Sequence, residues 1–143
     1  NYIEIGDGKF LHSVTPDEVE MKLNKFYPNG DYPKKIIITT ENYPENDFGY
    51  HDENYIIILN ESCAKYLADS NFHLYGTSWK SSDYQPGKTE RPIHKILLKN
   101  GVIFELLILN HVPEGEYYFM GLPVNIKGAS ESPVSPILVD SIY

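Results

Sequence analysis

The single cysteine, Cys63, offers the most direct route to catalysis, as a thiol nucleophile. A catalytic thiol needs a low pKa, which a helix N-terminus and a nearby imidazole provide together. Cys63 lies near the start of a possible helix that follows an apolar strand, and either His73 or His111 could face it in space. The alternative is that Cys63 is a small buried hydrophobic residue, as lone cysteines often are.

The arrangement of Cys63 and His73 on successive elements resembles that of bacterial toxin deamidases, which carry a cysteine on one strand and a histidine on the next. The resemblance implies a toxin or effector domain acting as a cysteine-dependent hydrolase or deamidase. The chain departs from those families because it lacks the glycine that they place before the cysteine.

A second candidate site joins one histidine to three carboxylates within seven residues. Its members are Asp47, His51, Asp52 and Glu53. Imidazole and carboxylate groups can bind a divalent metal or transfer protons. A functional site needs groups that converge from several elements, and clustering within one loop does not show this. The alternative is a solvated acidic loop with a surface histidine.

Other catalytic patterns are weaker. Pro16-Asp17 with Glu20-Met21-Lys22 resembles the PD…ExK signature of metal-dependent nucleases, but these residues also fit the start of a capped helix, where acids complement the helix dipole. The sequence contains no glycine-rich phosphate loop and no HExxH motif. We therefore predict no metal site and no cofactor.

Aromatic side chains in two loops form a candidate binding surface. Large aromatic residues and arginine are the types that anchor protein interfaces. The alternative is that the rings cover the ends of the sheet. The candidate binding residues are Tyr43, Phe48, Tyr50, Trp79, Tyr84 and Arg91.

Composition narrows the class of partner. The 143 residues carry a net charge of −8, which argues against a nucleic-acid binder because phosphate neutralisation needs Lys and Arg. An acidic surface would suit a basic protein partner. No apolar run is long enough to span a membrane, so we expect a soluble protein, either cytoplasmic or part of a secreted or larger protein. The chain starts at Asn1 without a methionine, which suggests a removed leader or a domain cut from a longer protein.

Hydrophobic patterning predicts helices at 13–27 and 60–71, although a hairpin is an alternative for the second. Thr15, Pro16 and Glu18 have the spacing of an N-cap, a first-turn proline and a capping box. Further strands are predicted at 2–12 (as a hairpin), 34–40, 55–59, 72–77 and 116–120. We expect one domain over 1–143, with 124–143 as a docked edge strand, a loose tail or a linker.

Ile93 to Asn110 is predicted to be the centre of the sheet. Two apolar runs flank Asn100-Gly101, and Asn-Gly is the strongest short-range hairpin signal. Strands that mostly follow one another as hairpins indicate an α+β fold with a mainly antiparallel, mixed sheet and one or two helices packed on it.

The weakness of the catalytic patterns favours a non-enzymatic protein-interaction domain. We expect an inhibitor, an immunity-type protein or an accessory domain that binds a protein through an acidic, tyrosine-rich surface. The alternative is a cysteine-dependent hydrolase or deamidase that uses Cys63 with His73 or His111.

Overall fold

A computed structural model describes residues 1–140 and divides the chain into two compact units, Asn1–Val112 and Pro113–Tyr143. The described residues form three helices and eight strands, which are β1 (Ile3–Gly6), β2 (Lys9–Val14), α1 (Pro16–Phe26), β3 (Lys35–Ile38), β4 (Tyr55–Leu59), α2 (Glu61–Asp69), β5 (Leu74–Thr77), α3 (Pro92–Leu97), β6 (Val102–Phe104), β7 (Tyr118–Met120) and β8 (Ile137–Val139). None of these helices has both the length and the hydrophobicity that a membrane crossing requires.

Two three-stranded sheets make up the first unit. One has the order β1-β2-β4, with an antiparallel β1–β2 pair and a parallel β2–β4 pair. The other has the order β3-β5-β6 and is entirely parallel. The α+β class and the mixed pairing are confirmed, and the parallel share is larger than the sequence indicated.

The helix α1 begins as its sequence predicts. The Thr15 hydroxyl accepts a hydrogen bond from the Glu18 N–H, and the Glu18 carboxylate accepts one from the Thr15 N–H at 2.9 Å. This reciprocal pair satisfies backbone donors that the first helical turn leaves without partners. Pro16 fits the first position because a proline has no N–H to lose there.

The helix α2 settles the ambiguity of residues 60–71 in favour of a helix. Asn60 caps it, because its side-chain oxygen accepts the Cys63 N–H at 2.7 Å. The buried face of α2 consists of Cys63, Ala64 and Leu67. These residues join a hydrophobic core that includes Ile56 of β4, Tyr75 of β5 and Leu97 of α3, so the core connects both sheets with the helices.

The central strand β5 is buried along its whole length. At Gly76, an added Cβ would lie 2.9 Å from side-chain atoms of both Ile37 and Leu107. Real Cβ atoms essentially never make contacts this short, so any larger residue would push the neighbouring side chains away. The strand therefore depends on glycine for close packing on both sides.

The hairpin predicted over Ile93–Asn110 is wrong. Residues Pro92–Leu97 form the helix α3, with Pro92 in its first turn and Ile93, His94 and Leu97 on its buried face. The apolar run was mistaken for a strand because a short buried helix and a buried strand share the same composition. Strand β5, helix α3 and strand β6 instead form a βαβ unit with parallel strands.

Asn100-Gly101 serves this unit as a helix-to-strand turn. Gly101 does not have a positive φ, and an added Cβ there would lie 2.9 Å from the His73 carbonyl oxygen. Gly101 is therefore needed for close approach of two backbones and not for a hairpin turn. The following strand is also shorter than predicted, because Leu106 takes a left-handed φ of 59° soon after β6 ends.

The second unit contains one antiparallel pair, β7 with β8. Part of the predicted tail, Ile137–Val139, is thus a paired strand, and Ile142 lies outside the described residues. The single-domain organisation over 1–143 stays a prediction beside this division into two units.

We expect Gly101→Ala to lower the free energy of unfolding by about 1–3 kcal/mol, because the new methyl group would overpack against the His73 carbonyl. Urea unfolding followed by circular dichroism measures the change. Gly115→Ala is the matched control, since its Cβ would make only ordinary contacts of 3.4 Å or more with Tyr117. Equal stability of the two variants would contradict the close approach.

Candidate functional site

Polar side chains meet where the strands of the parallel sheet end. Thr39 follows β3, Ser78 follows β5 and Glu105 follows β6. Because parallel strands have their carboxyl ends at one edge of a sheet, these three residues share that edge, where α/β proteins place their ligand sites. The Thr39 and Ser78 hydroxyl oxygens lie 2.5 Å apart across it.

His51 completes a buried polar chain at this edge. Its Nδ1 lies 2.8 Å from Ser78 Oγ, and its Nε2 lies 3.4 Å from the hydroxyl of Tyr2. The imidazole stacks on the ring of Tyr43, with 4.3 Å between ring centroids, and the residue is 3% exposed. Burial lowers the pKa of His51 to about 4, so the ring is neutral at physiological pH.

The Tyr43 hydroxyl connects the stacked rings of Tyr43 and His51 to the segment after β6. It accepts hydrogen bonds from the backbone N–H groups of Leu109 and Asn110, each at 2.8 Å. The position of the His51 ring is therefore fixed by stacking on a side chain that is itself held by two backbone donors.

An open cleft of about 490 Å³ lies beside His51. This volume is in the range of small-molecule sites. The four acidic residues of the lining are accompanied by one lysine. The lining consists of Glu45, Asn46, Asp47, Tyr50, His51, Asp52, Glu53, Asn54, Lys80 and Leu106.

Lys80 and Glu53 form an ion pair across the lining of the cleft. The hydrogen bond from Lys80 lowers the pKa of the Glu53 carboxyl. Trp79, next to Lys80, is buried and donates its indole N–H to the Glu53 carbonyl oxygen at 3.3 Å. A backbone contact therefore holds the two charged residues near each other, in addition to their own charges.

A second polar cluster lies between α3 and the loop before it. Asp83 accepts hydrogen bonds from the N–H groups of Ile93 and His94, and its Oδ2 lies 2.6 Å from His94 Nδ1. His94 Nε2 lies 2.7 Å from an Arg91 guanidinium nitrogen and 3.2 Å from Glu105 Oε1. Through these contacts, the loop that contains Asp83 is held against the start of α3, and α3 is held against the residue that follows β6.

The residues of the cysteine hypothesis do not come together. Cys63 is fully buried in α2, and burial raises the pKa of its thiol to about 12. His73 and His111 are both exposed, and within residues 1–140 neither forms a hydrogen bond with Cys63. A thiol that is protonated and inaccessible is a poor nucleophile, so the geometry weighs against this hypothesis, which stays a prediction.

The six candidate binding residues are spread over different environments. Tyr50 lines the cleft and Phe48 is 83% exposed, whereas Tyr43 and Trp79 are buried. Tyr84 packs edge-on against Trp79, and Arg91 contacts His94. They do not form one continuous surface, and a shared binding role stays a prediction.

Sequence reasoning grouped Asp47, His51, Asp52 and Glu53, and all four line the cleft. It missed Ser78 and Lys80. The signal was present, because both follow the apolar run that ends in Gly76-Thr77. That run is the central strand of a parallel sheet, and α/β proteins place their ligand sites at the carboxyl ends of such strands. The hairpin predicted over Ile93–Asn110 excluded this parallel arrangement.

His51→Asn should flatten the pH dependence of stability. The pKa of His51 falls from 6.5 to about 4 on folding, so the unfolded chain binds the proton at higher pH. The neutral ring therefore contributes stability above about pH 6.5 that is lost as the pH falls toward 4. Between pH 7 and 4.5 we expect the wild type to lose on the order of 2 kcal/mol more than the variant in urea unfolding.

His111→Asn is the matched control for this measurement. His111 is exposed in a turn with a φ of 68°, which asparagine also adopts readily. We expect the wild-type pH dependence in this variant. The interpretation of His51 fails if both variants keep the wild-type slope.

The Cys63 thiol should resist iodoacetamide in the folded protein up to about pH 9, because it is buried and its pKa is raised. The same thiol should react in urea. Mass spectrometry of the intact chain measures the modified fraction, and rapid labelling of the native protein near pH 7 would instead support a catalytic thiol.

Comparison with known proteins gives a consistent class of relatives, although no family model matches the chain. Over 138 residues, 95% of the chain, it is 29% identical to a kynurenine formamidase of Bacillus thuringiensis (strain Al Hakam), covering 63% of that protein. A 74-residue segment is 39% identical to a kynurenine formamidase of Polaromonas naphthalenivorans (strain CJ2), covering 32% of that protein. The chain thus spans from about a third to two thirds of the length of these relatives.

Two solved structures share the fold. A structure described as a predicted metal-dependent hydrolase from Bacillus stearothermophilus matches with a TM-score of 0.63 and 25% identity, over 98% of this chain and 68% of the other. A potential metal-dependent hydrolase with cyclase activity matches with a TM-score of 0.55 and 24% identity, over 75% of this chain and 64% of the other.

These comparisons overturn the main functional prediction. The expectation of a non-enzymatic interaction domain with an acidic binding surface is wrong, because the relatives along almost the whole chain are named as enzymes. The enzymatic alternative of a hydrolase agrees better with them.

Proposed function

We propose that this chain carries the substrate cleft of a hydrolase that cleaves an amide bond, with small formamides as the substrate class. The observation that carries the proposal is the similarity to kynurenine formamidase, at 29% identity over 95% of the chain. The open cleft of about 490 Å³ supports it, because it has the size of a small-molecule site and lies at the expected sheet edge.

Formamide hydrolysis needs a base for the attacking water and a positive group for the developing oxyanion. Asp52 and Glu53 are the carboxylates of the lining that lie closest in sequence to His51, and Lys80 is its ammonium group. Water would add its oxygen to the formyl carbon and give a proton to a carboxylate. The C–N bond then breaks, formate is released, and the proton passes to the leaving amine.

His51 has a positioning role in this scheme. Its ring is neutral and buried, and both nitrogens face hydroxyl groups of the protein, Ser78 on one side and Tyr2 on the other. It therefore orders the wall of the cleft and leaves proton transfer to the solvent-accessible carboxylates.

Charge favours substrates that carry an amino group. Four carboxylates and one ammonium group line the cleft, so an ammonium substituent on the substrate is attracted and a substrate that is only anionic is repelled. Formylated kynurenine has both an α-amino group and a carboxylate, whereas formylated anthranilate has only the carboxylate.

The descriptions of both solved structures include metal dependence, and the residues of this chain do not fit such a centre. Within residues 1–140, no group of three or more His, Cys, Asp or Glu side chains is arranged to hold a metal ion. Ser78 and Lys80, which follow the central strand, offer a hydroxyl and a cation where a metal site would need anionic or imidazole ligands.

Release of formate from formylated kynurenine by the purified chain tests the proposal. We expect turnover of this substrate, at least tenfold slower turnover of formylated anthranilate, and loss of most activity in Lys80→Met, because the oxyanion then lacks its positive partner. Removing one such donor costs about 10²–10³ in kcat in other enzymes.

Lys65→Met is the control for this variant. Lys65 lies on α2, pairs with Glu61 at 3.9 Å and has a side chain 62% exposed, against 50% for Lys80. The control loses the same charge from a similar ion pair outside the cleft and should keep wild-type activity. If the chain releases formate from neither of the two substrates, the proposed function is refuted.

A further inference from the structure

We propose that the cleft of this chain binds its ligand without a divalent metal ion, and that Lys80 supplies the fixed positive charge that holds the ligand's carboxylate or acyl oxygen. The role of Lys80 in turnover rests on the proposed function. The choice of kynurenine as the probe for ligand binding rests on it as well. The statement about metal binding does not, and it can be tested separately.

The histidines of the described residues leave no ring nitrogen facing the cleft as a metal ligand. His51 has hydroxyl partners at both nitrogens. His94 has Asp83 at Nδ1, and a guanidinium nitrogen of Arg91 lies 2.7 Å from its Nε2. A neighbouring guanidinium repels a divalent cation and competes with it for the same lone pair, so His94 is not available as a ligand. For His51, a metal ion would have to displace a hydroxyl partner.

The remaining histidines lie elsewhere. His12 on β2 contacts the backbone nitrogen of Asn1 at 2.8 Å and the Glu18 carboxylate at 3.2 Å. His73 and His111 are exposed and belong to no acidic or histidine cluster suited to a metal among residues 1–140.

Three of the four carboxylates of the cleft also have internal partners. Asp52 Oδ1 accepts the backbone N–H and the side-chain amide of Asn54, at 2.9 and 3.0 Å. Glu45 accepts the side-chain amide of Asn110 at 2.6 Å. Glu53 pairs with Lys80. A metal ion would have to displace these partners before it gained Glu45, Asp52 and Glu53 as full ligands.

Lys80 already provides a positive charge at this place, and its backbone is well anchored. The preceding residue, Trp79, is 2% exposed, donates its N–H to Thr77 Oγ1 at 3.3 Å and accepts the Leu106 N–H at 3.0 Å. The ammonium group therefore projects from a fixed backbone into a lining rich in carboxylates. A preorganised cation of this kind can bind an oxyanion with no metal present.

Metal content is the first test. The full chain would be incubated with excess Zn²⁺ or Mn²⁺, passed through a desalting column and analysed by inductively coupled plasma mass spectrometry. We expect less than a tenth of an equivalent of metal per chain and no change in melting temperature. One bound equivalent, or a melting temperature raised by the metal, would overturn the inference.

Ligand binding is the second test, with kynurenine as the probe and calorimetry in the presence of EDTA as the measurement. We expect binding by the wild type, at least tenfold weaker binding by Lys80→Met, recovery in Lys80→Arg and wild-type affinity in Lys65→Met. Binding that requires added metal, or wild-type affinity in Lys80→Met, would overturn the inference, as would no binding by the wild type.

The two proposals can fail independently. A chain that binds kynurenine through Lys80 without metal and releases no formate would refute the hydrolase and leave this inference standing. A chain that releases formate only with bound metal would do the reverse.

Discussion

The hydrogen bonds of Thr77, Ser78 and Trp79 are the constraint on which the candidate site depends. This segment continues the buried strand β5, and all three residues are at most 2% exposed. The Thr77 and Trp79 carbonyl oxygens accept the N–H groups of Leu107 and Leu106, at 3.1 and 3.0 Å. Buried backbone groups are costly to leave without partners, so these bonds fix the chain on both sides of Ser78 and set the positions of the His51 ring and of Lys80.

The site separates buried neutral groups from exposed charged ones. His51, Ser78 and Thr39 form a chain of uncharged hydrogen-bonding groups, and lowering of the His51 pKa keeps that chain neutral. The ionised groups, Glu53 and Lys80, lie at the cleft where water can solvate them. This division avoids the cost of burying a charge and leaves the exposed groups free to meet a ligand.

Patterns among residues close in sequence were sufficient to predict some helices and strands. The capping box of Thr15 and Glu18 gave the start of α1, and the isoleucine run gave β4 with its observed bounds. These successes share a cause, because caps, turns and apolar runs act within a few residues of each other.

The failures came from long-range contacts. Asn100-Gly101 looks like a hairpin turn, yet Gly101 is required by the His73 backbone, which is distant in sequence. The apolar residues of α3 read as a strand because no periodicity separates the two over six residues. The partners of Ser78 and Lys80 come from segments about 27 to 39 residues away, which a single sequence does not reveal.

The packing around Gly76 has a consequence for how this fold can change over evolution. Strand β5 leads to Ser78 and Lys80, and an added Cβ at Gly76 would displace side chains of Ile37 and Leu107, so substitution there costs stability. The part of the cleft lining between residues 45 and 54 is mostly exposed loop and tolerates substitution better. Adaptation to a new ligand, in nature or in a directed-evolution library, should therefore accumulate in that loop.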